Sequence, residues 1–312
     1  MTAPQFIYIC RLQVRDTFRQ ALANRVFWVM LGACALVILF CLGISIQDGE
    51  TLRAPDEIGL DKPHGQISLI FGAWRLPLFR DGQAMAHFIL LVLGEGVFGI
   101  LGTFLALVLT AGFVPEFLQP ANATVILSKP TPRWALLFGR YLGVLALLAF
   151  FAGLYIIGTW LAIGLRTGFW VNSYLWGLPL LLLQVATVYS FSAFLGVFTR
   201  SNMVCVFGSV LFWLMCWGMN YGHHMLVSVE AEEPRQHIVL RTFSEIGYWL
   251  MPKPLDLSLI LRAAIDSDQI DPQMRKFTQL GAFHPELAVL SSLAFIVVMV
   301  LLAAQQLSSK DY

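Results

Sequence analysis

Six stretches of this sequence run for about 20 residues or more without one Asp, Glu, Lys or Arg, the length a helix needs to cross the hydrocarbon of a bilayer. They are Val26–Gln47, Gly96–Pro115, Tyr141–Leu165, Thr167–Thr199, Ser201–Val229 and Leu287–Ser309. Trimmed by hydrophobicity and by flanking Pro, Trp and Tyr, they predict spans near 26–46, 87–114, 134–164, 174–199, 203–221 and 286–304. The rest of the composition agrees. The chain is 58% hydrophobic and 12% charged, where a soluble domain averages about 25% charged. A soluble enzyme, a disordered tail and a disulfide scaffold are thereby excluded. With 20 Lys and Arg against 19 Asp and Glu, no cationic field invites phosphates, so no nucleic-acid partner is expected. The predicted fold is an all-α integral membrane protein. It forms one transmembrane domain over residues 1–312, with outer loops at about 48–86 and 222–285.

Basic residues near the membrane set the expected orientation. If the N-terminus is cytoplasmic, the inner segments hold Arg11, Arg15, Arg19, Arg25, Lys129, Arg133, Arg140, Arg200 and Lys310 against Asp16, Glu116 and Asp311. The outer loops are net acidic. Both termini are therefore expected inside, in the plasma or inner membrane. The first apolar run is too long for a cleaved signal and lacks a small-residue cleavage site. Cys10, Cys34, Cys41, Cys205 and Cys216 fall in spans or on the inner side, so no disulfide framework is implied. Gly43, Gly102, Gly153, Gly196 and Gly208 lie within spans and would let helices approach closely. Pro179 sits inside the fourth span, where neighbouring groups would satisfy the carbonyl it frees.

Two inner segments are more specific. Residues 6–22 predict a helix lying on the membrane surface. Phe6, Ile7, Cys10, Val14, Phe18 and Ala21 share one face at 100° per residue, and Arg11, Arg15, Asp16, Arg19 and Gln20 share the other. The second segment begins at Pro115-Glu116 and ends at Lys129-Pro130-Thr131-Pro132-Arg133-Trp134. Its acidic start and basic end suit the dipole of a short helix, and the residue before Pro130 ends it. Arg140 then follows at a depth from which it could snorkel to the surface.

The run GFVPEFLQPANATVILSKPTPRWALLFGRYLG (112–143) resembles the type-2 permeases of ATP-binding-cassette exporters. Those subunits carry an acidic residue, a short coupling helix, a basic-Pro-x-x-Arg turn and a span opening on an aliphatic–Gly–basic pattern. Glu116, Lys129, Pro130, Arg133, Gly139 and Arg140 match in place. CRLQVRDTFRQALANRVFW (10–28) is similar to the family's interfacial helix, and QQLSSKDY (305–312) to its short tail. Pro120-Ala121-Asn122-Ala123 departs from the Gly-Thr often found after an acidic pair in that family.

The resemblance implies a permease subunit, not itself an enzyme, that pairs with a second copy or a homologue and docks an ATP-binding ATPase subunit. Glu116, Lys129 and Arg133 would couple to that ATPase; Arg11, Arg15 and Arg19 would line the interfacial helix against lipid. Short helices between the last two spans would form an outer gate. The sequence has no GxxxxGK[ST] run, so ATP and Mg belong to the partner, and no cofactor is expected on this chain. A different class stays open: a membrane anchor transmitting force to an envelope partner through the outer loops.

Glu95 is the one acid well inside a predicted span. It reads either as a translocation-path group meeting a substrate amine or a proton, or as a protonated or Ser/Thr-paired interhelical hydrogen bond. Gly94-Glu95-Gly96-Val97-Phe98-Gly99 satisfies GxGxxG but lies within a span, where close packing explains it better than a dinucleotide site. His64, His87, His223, His224, His237 and His284 all fall on the outer side. The adjacent His223 and His224 point about 100° apart on a helix and chelate poorly, so no metal is expected. GxSxG and HExxH are absent. The apolar stretch 243–265, broken by Pro252-Lys253-Pro254, predicts two short helices, either resting on the outer leaflet or forming a solvated lid.

Overall fold

A backbone in hydrocarbon must satisfy its own N–H and C=O groups, which favours helix throughout the charge-free runs. In a computed structural model, residues 3–48, 65–78, 82–119, 132–230, 238–265 and 284–309 are described. Among these, six helices are long and apolar enough to cross a membrane: Arg25–Leu42, Gly82–Phe117, Arg133–Thr167, Asn172–Thr199, Asn202–Val227 and Pro285–Ser309. This is a multi-pass membrane protein, and each span falls on a predicted one.

The elements in order are α1 (Ala3–Ala23), α2 (Arg25–Leu42), strands β1 (Ser45–Asp48), β2 (Gly65–Leu69) and β3 (Trp74–Leu78), and α3 (Gly82–Leu91). A π-helical segment, Val92–Gly102, continues α3 into α4 (Thr103–Thr110) and α5 (Phe113–Phe117). There follow α6 (Arg133–Thr167), a 3-10 turn at Asn172–Trp176, α7 (Gly177–Thr199), α8 (Asn202–Glu230), α9 (Ile238–Leu250), α10 (Pro254–Ala264) and α11 (Pro285–Ser309). The fourth span is the hub. Its most apolar window is 67% buried, against 22% for α2 and 17% for α11, which flank the bundle. Met203, Phe207 and Leu211 of α8 stay exposed, the surface expected of a helix facing lipid.

Two boundaries differ from expectation. The first span ends at Leu42, and Ser45–Asp48 peels away into β1, which pairs antiparallel with β2. Ile46 lies opposite Ile67, both buried, and this cross-strand pair favours a sheet here over a longer helix. Gly43 allows the turn: a Cβ there would lie 3.2 Å from the Ile70 Cα, and its carbonyl accepts from Phe71 N–H at 2.9 Å. A small three-stranded antiparallel sheet, order β1-β2-β3, is thus added to the helices between the first two spans. Pro179 falls in the first turn of α7, directly after the 3-10 turn at Asn172–Trp176, where the change of helix type accommodates a residue without an N–H.

The 11-residue π segment is long for its kind, which usually appears as a single-turn bulge. Side chains from neighbouring spans reach its carbonyls. Tyr155 Oη donates to Leu93 O at 2.9 Å and Gln184 Nε2 to Gly99 O at 3.2 Å. The GxGxxG glycines lie in this segment, within a spanning helix; Gly94 packs closely against Tyr174 and Leu261, whereas Gly96 and Gly99 meet only their own segment.

Candidate functional site

Chemistry gathers at two ends of the bundle. At the end bearing α9 and α10, the π segment, α7, α8 and α10 enclose a cavity of about 220 Å³. Leu181, Trp213, Trp217 and Leu261 line it with Gln184, Glu95 and Arg262. Arg262 Nε lies 2.8 and 2.7 Å from the two Glu95 carboxylate oxygens, and Nη2 lies 2.6 Å from Oε2. The Glu95 carboxyl group is thus held by the Arg262 guanidinium, from α10. The Glu95 side chain is 13% exposed and that of Arg262 35%.

Both short helices expected in the outer loop exist, but neither predicted placement describes α10. It is packed into the bundle, with Asp256, Leu257, Leu259 and Leu261 buried. Asp256, in its first turn, is fully buried, accepting from Tyr248 Oη at 2.7 Å and lying 2.6 Å from His224 Nε2. Lys253, also buried, places its Nζ 4.0 Å from the Tyr248 ring and 4.6 Å from the Trp249 ring. His223 stacks on Tyr248 at 4.0 Å. Burial pushes the Tyr248 hydroxyl upward, with the Asp256 charge adding to it; burial lowers Lys253, and Asp256 opposes that. Helix α10 is thus fastened at its start to α8 and α9, and near its end to the π segment through Arg262. Among the described residues no group of three His, Cys, Asp or Glu is arranged to hold a metal.

At the opposite end, α1 lies against α6. Gln13, Thr17 and Ala21 are buried, so of the six apolar residues predicted on one face Ala21 is buried in the bundle, while Ile7 is exposed. The reason lies in α6, where Gly139 meets Gln13 and Cys10, and Gly143 meets Thr17 and Gln13. Phe6 stacks on Trp134 and Phe138, and Phe18 packs edge-on against Phe150. Arg11, Arg15 and Arg19 all point outward and are exposed. Arg140 does not snorkel: it is 5% exposed. Docking of α1 covers it, and its guanidinium donates to Gln20 Oε1, to Thr17 Oγ1 at 3.3 Å and to the Phe113 carbonyl at 3.4 Å. Gln20 in turn donates to Glu116 Oε2. The guanidinium also sits 5.4 Å from the Phe113 ring centre and 5.9 Å from that of Phe117.

Of the predicted coupling residues, the structure joins Glu116 to α1 and, through Gln20, to α6. Arg133 instead donates to the Leu307 carbonyl of α11 at 3.5 Å. Lys129 lies outside the described residues. Sequence reasoning missed Gln20, Arg262 and the His224–Asp256 pair. Each lies on a helix that was expected, but a partner far away in sequence leaves no trace in spacing. Comparison with protein-family models and with curated proteins returns no match for this chain.

Proposed function

We propose that this chain is the permease subunit of an ATP-binding-cassette exporter, with α1 and both termini on the cytoplasmic side of the plasma or inner membrane. Two copies, or one copy and a homologue, would dock two ATPase subunits. The observation that carries the reading is the chain of polar contacts Glu116–Gln20–Arg140, which ties the end of the second span, α1 and the start of the third into one body. A push on the segment after Glu116 therefore reaches α1 and α6 together. Rigid-body shifts of that kind are how a nucleotide-driven closure moves spans between cavity states. The resemblance of 112–143 to type-2 permeases supports the same reading, with Glu116, Lys129 and Arg133 as coupling residues and the cavity at Glu95 as part of the path.

The test is purification from native membranes. An ATPase subunit is expected to accompany the chain, and its hydrolysis to depend on this subunit. A stable complex without any ATPase overturns the reading and favours the anchor class, in which the outer segments grip an envelope partner.

A further inference from the structure

The small sheet between the first two spans has an apolar face and a polar one. Cross-strand partners share a face, which places Ile46, Ile67, Leu69, Trp74 and Leu76 on one side and Ser45, Gln66, Ser68 and Arg75 on the other. On β1 and β2 the apolar face is covered, with Ile46 and Ile67 buried. On β3 it is not: Trp74 is 67% exposed and Leu76 49%. The turn Ile70–Gly72 joins β2 to β3 with positive φ at Ile70, Phe71 and Gly72. A turn facing water fills such positions with Gly, Asn or Asp, because other side chains are strained there. Here an Ile and a Phe fill two of them, 51% and 66% exposed. Strained backbone that carries large apolar groups outward points to something that receives them.

The level of the turn says what receives them. Phe71 N–H donates to the carbonyl of Gly43, which directly follows α2, and a Cβ on Gly43 would lie 3.2 Å from the Ile70 Cα. The turn is therefore held at the depth where the first span ends. The 18 residues of α2 rise about 27 Å, just short of the roughly 30 Å of hydrocarbon in a bilayer. Gly43 and the turn then lie where acyl chains meet head groups. Leu36, Leu39 and Phe40, near the end of α2, are exposed on its flank and lead to the same place. Trp170 and Trp176 join the third span to the fourth, at the same end of the bundle, and are also exposed. Exposed indoles gather at the membrane–water interface. We propose that the β2–β3 turn inserts into the bilayer interface, with Ile70, Phe71 and Trp74 among the lipids beside the end of α2.

The experiment uses the full chain in lipid vesicles, with a nitroxide placed on Phe71→Cys in a Cys10→Ser background. The other four cysteines are buried. Collisions with oxygen, which partitions into lipid, are compared with collisions with a nickel chelate, which stays in water. Trp74→Cys repeats the measurement on the apolar edge and serves if Phe71→Cys does not fold. Gln66→Cys, on the polar face and exposed, is the control. Labels at 71 and 74 should meet oxygen more often than the chelate, and the order should reverse at 66. Chelate access at 71 and 74 equal to that at 66 overturns the proposal and puts the turn in water. A label shielded from both reagents also overturns it, because a protein surface would then cover the turn. Neither result depends on whether an ATPase accompanies the chain.

Discussion

Thr17 of α1 sits so close to Gly143 of α6 that a methyl group on residue 143 would lie 2.5 Å from its Oγ1. The Gln13 carbonyl, at 3.1 Å, closes the same space from the backbone side. Gly143→Ala should therefore lift α1 from α6 at a cost of about 1–3 kcal/mol, the range for overpacking. Cys10 reports it: it is partly buried near Gly139, whereas the other four cysteines are buried. Maleimide labelling of Cys10 should accelerate in the variant, and Thr17→Ala should partly reverse the effect. An unchanged labelling rate would show that the helices do not depend on this contact.

Arg140 bears on both coupling and stability. Its Nε is buried without a hydrogen-bond partner, so the guanidinium is held imperfectly. Removing Arg140 alone leaves the Thr17 hydroxyl, the Gln20 amide oxygen and the Phe113 carbonyl without this donor, so Arg140→Met should cost about 1–3 kcal/mol of stability. On the proposed permease reading, ATP hydrolysis by the partner subunit should fall further than this loss of stability explains, because Gln20 and Glu116 lose the group that joins them to α6. Thermal melting and hydrolysis in the assembled complex, measured together, check this. A fall in hydrolysis no larger than the loss of folded protein would mark Arg140 as structural only.

Tyr248 makes the α10 anchorage sensitive to alkali. Burial and the Asp256 carboxylate raise its pKa above the ordinary 10.0. The unfolded chain then gives up this proton at lower pH than the folded one, so the contribution is intact below pH 10.0 and shrinks as pH rises above it. The stability difference between wild type and Tyr248→Phe should narrow from pH 9 to about pH 11 as a result. A difference independent of pH would mean that the hydroxyl is not buried beside Asp256.

Tyr155 supports the π segment through its hydrogen bond to the Leu93 carbonyl. Interhelical hydrogen bonds within membranes average about 0.6 kcal/mol and reach about 1.7 kcal/mol. Tyr155→Phe should fall in that range by thermal melting and should raise amide exchange across 92–102. Exchange confined to other segments would place the bond's effect elsewhere.

Much of the fold was legible because membrane insertion is read locally. Hydropathy adds residue by residue, so the charge-free runs predict six spans to within a few residues, and the apolar stretch broken by Pro252-Lys253-Pro254 predicts the two short helices before the last span. The failures share another cause. Gly43 and Ser45-Ile46 look like the end of a span by hydropathy, but a neighbouring hairpin offers them hydrogen bonds that a helix end lacks. On α1 the apolar pattern gave no sign of Gln13 and Thr17, which two glycines on α6 seat closely against the bundle. Arg140 was expected at the surface because nothing in its own helix shows that α1 covers it.

The sequence by itself determined that six segments are long and apolar enough to cross a membrane and where its few charges fall along the chain. Only the tertiary structure decided what those charges meet. Glu95 was visible as an acid in the wrong solvent, yet its partner lies 167 positions away on a helix folded back into the bundle. Burial of apolar surface is additive and nearly indifferent to partner, so it can be summed along a chain. A buried charge depends on the one opposite group within about 4 Å, and that distance exists only once the chain has packed.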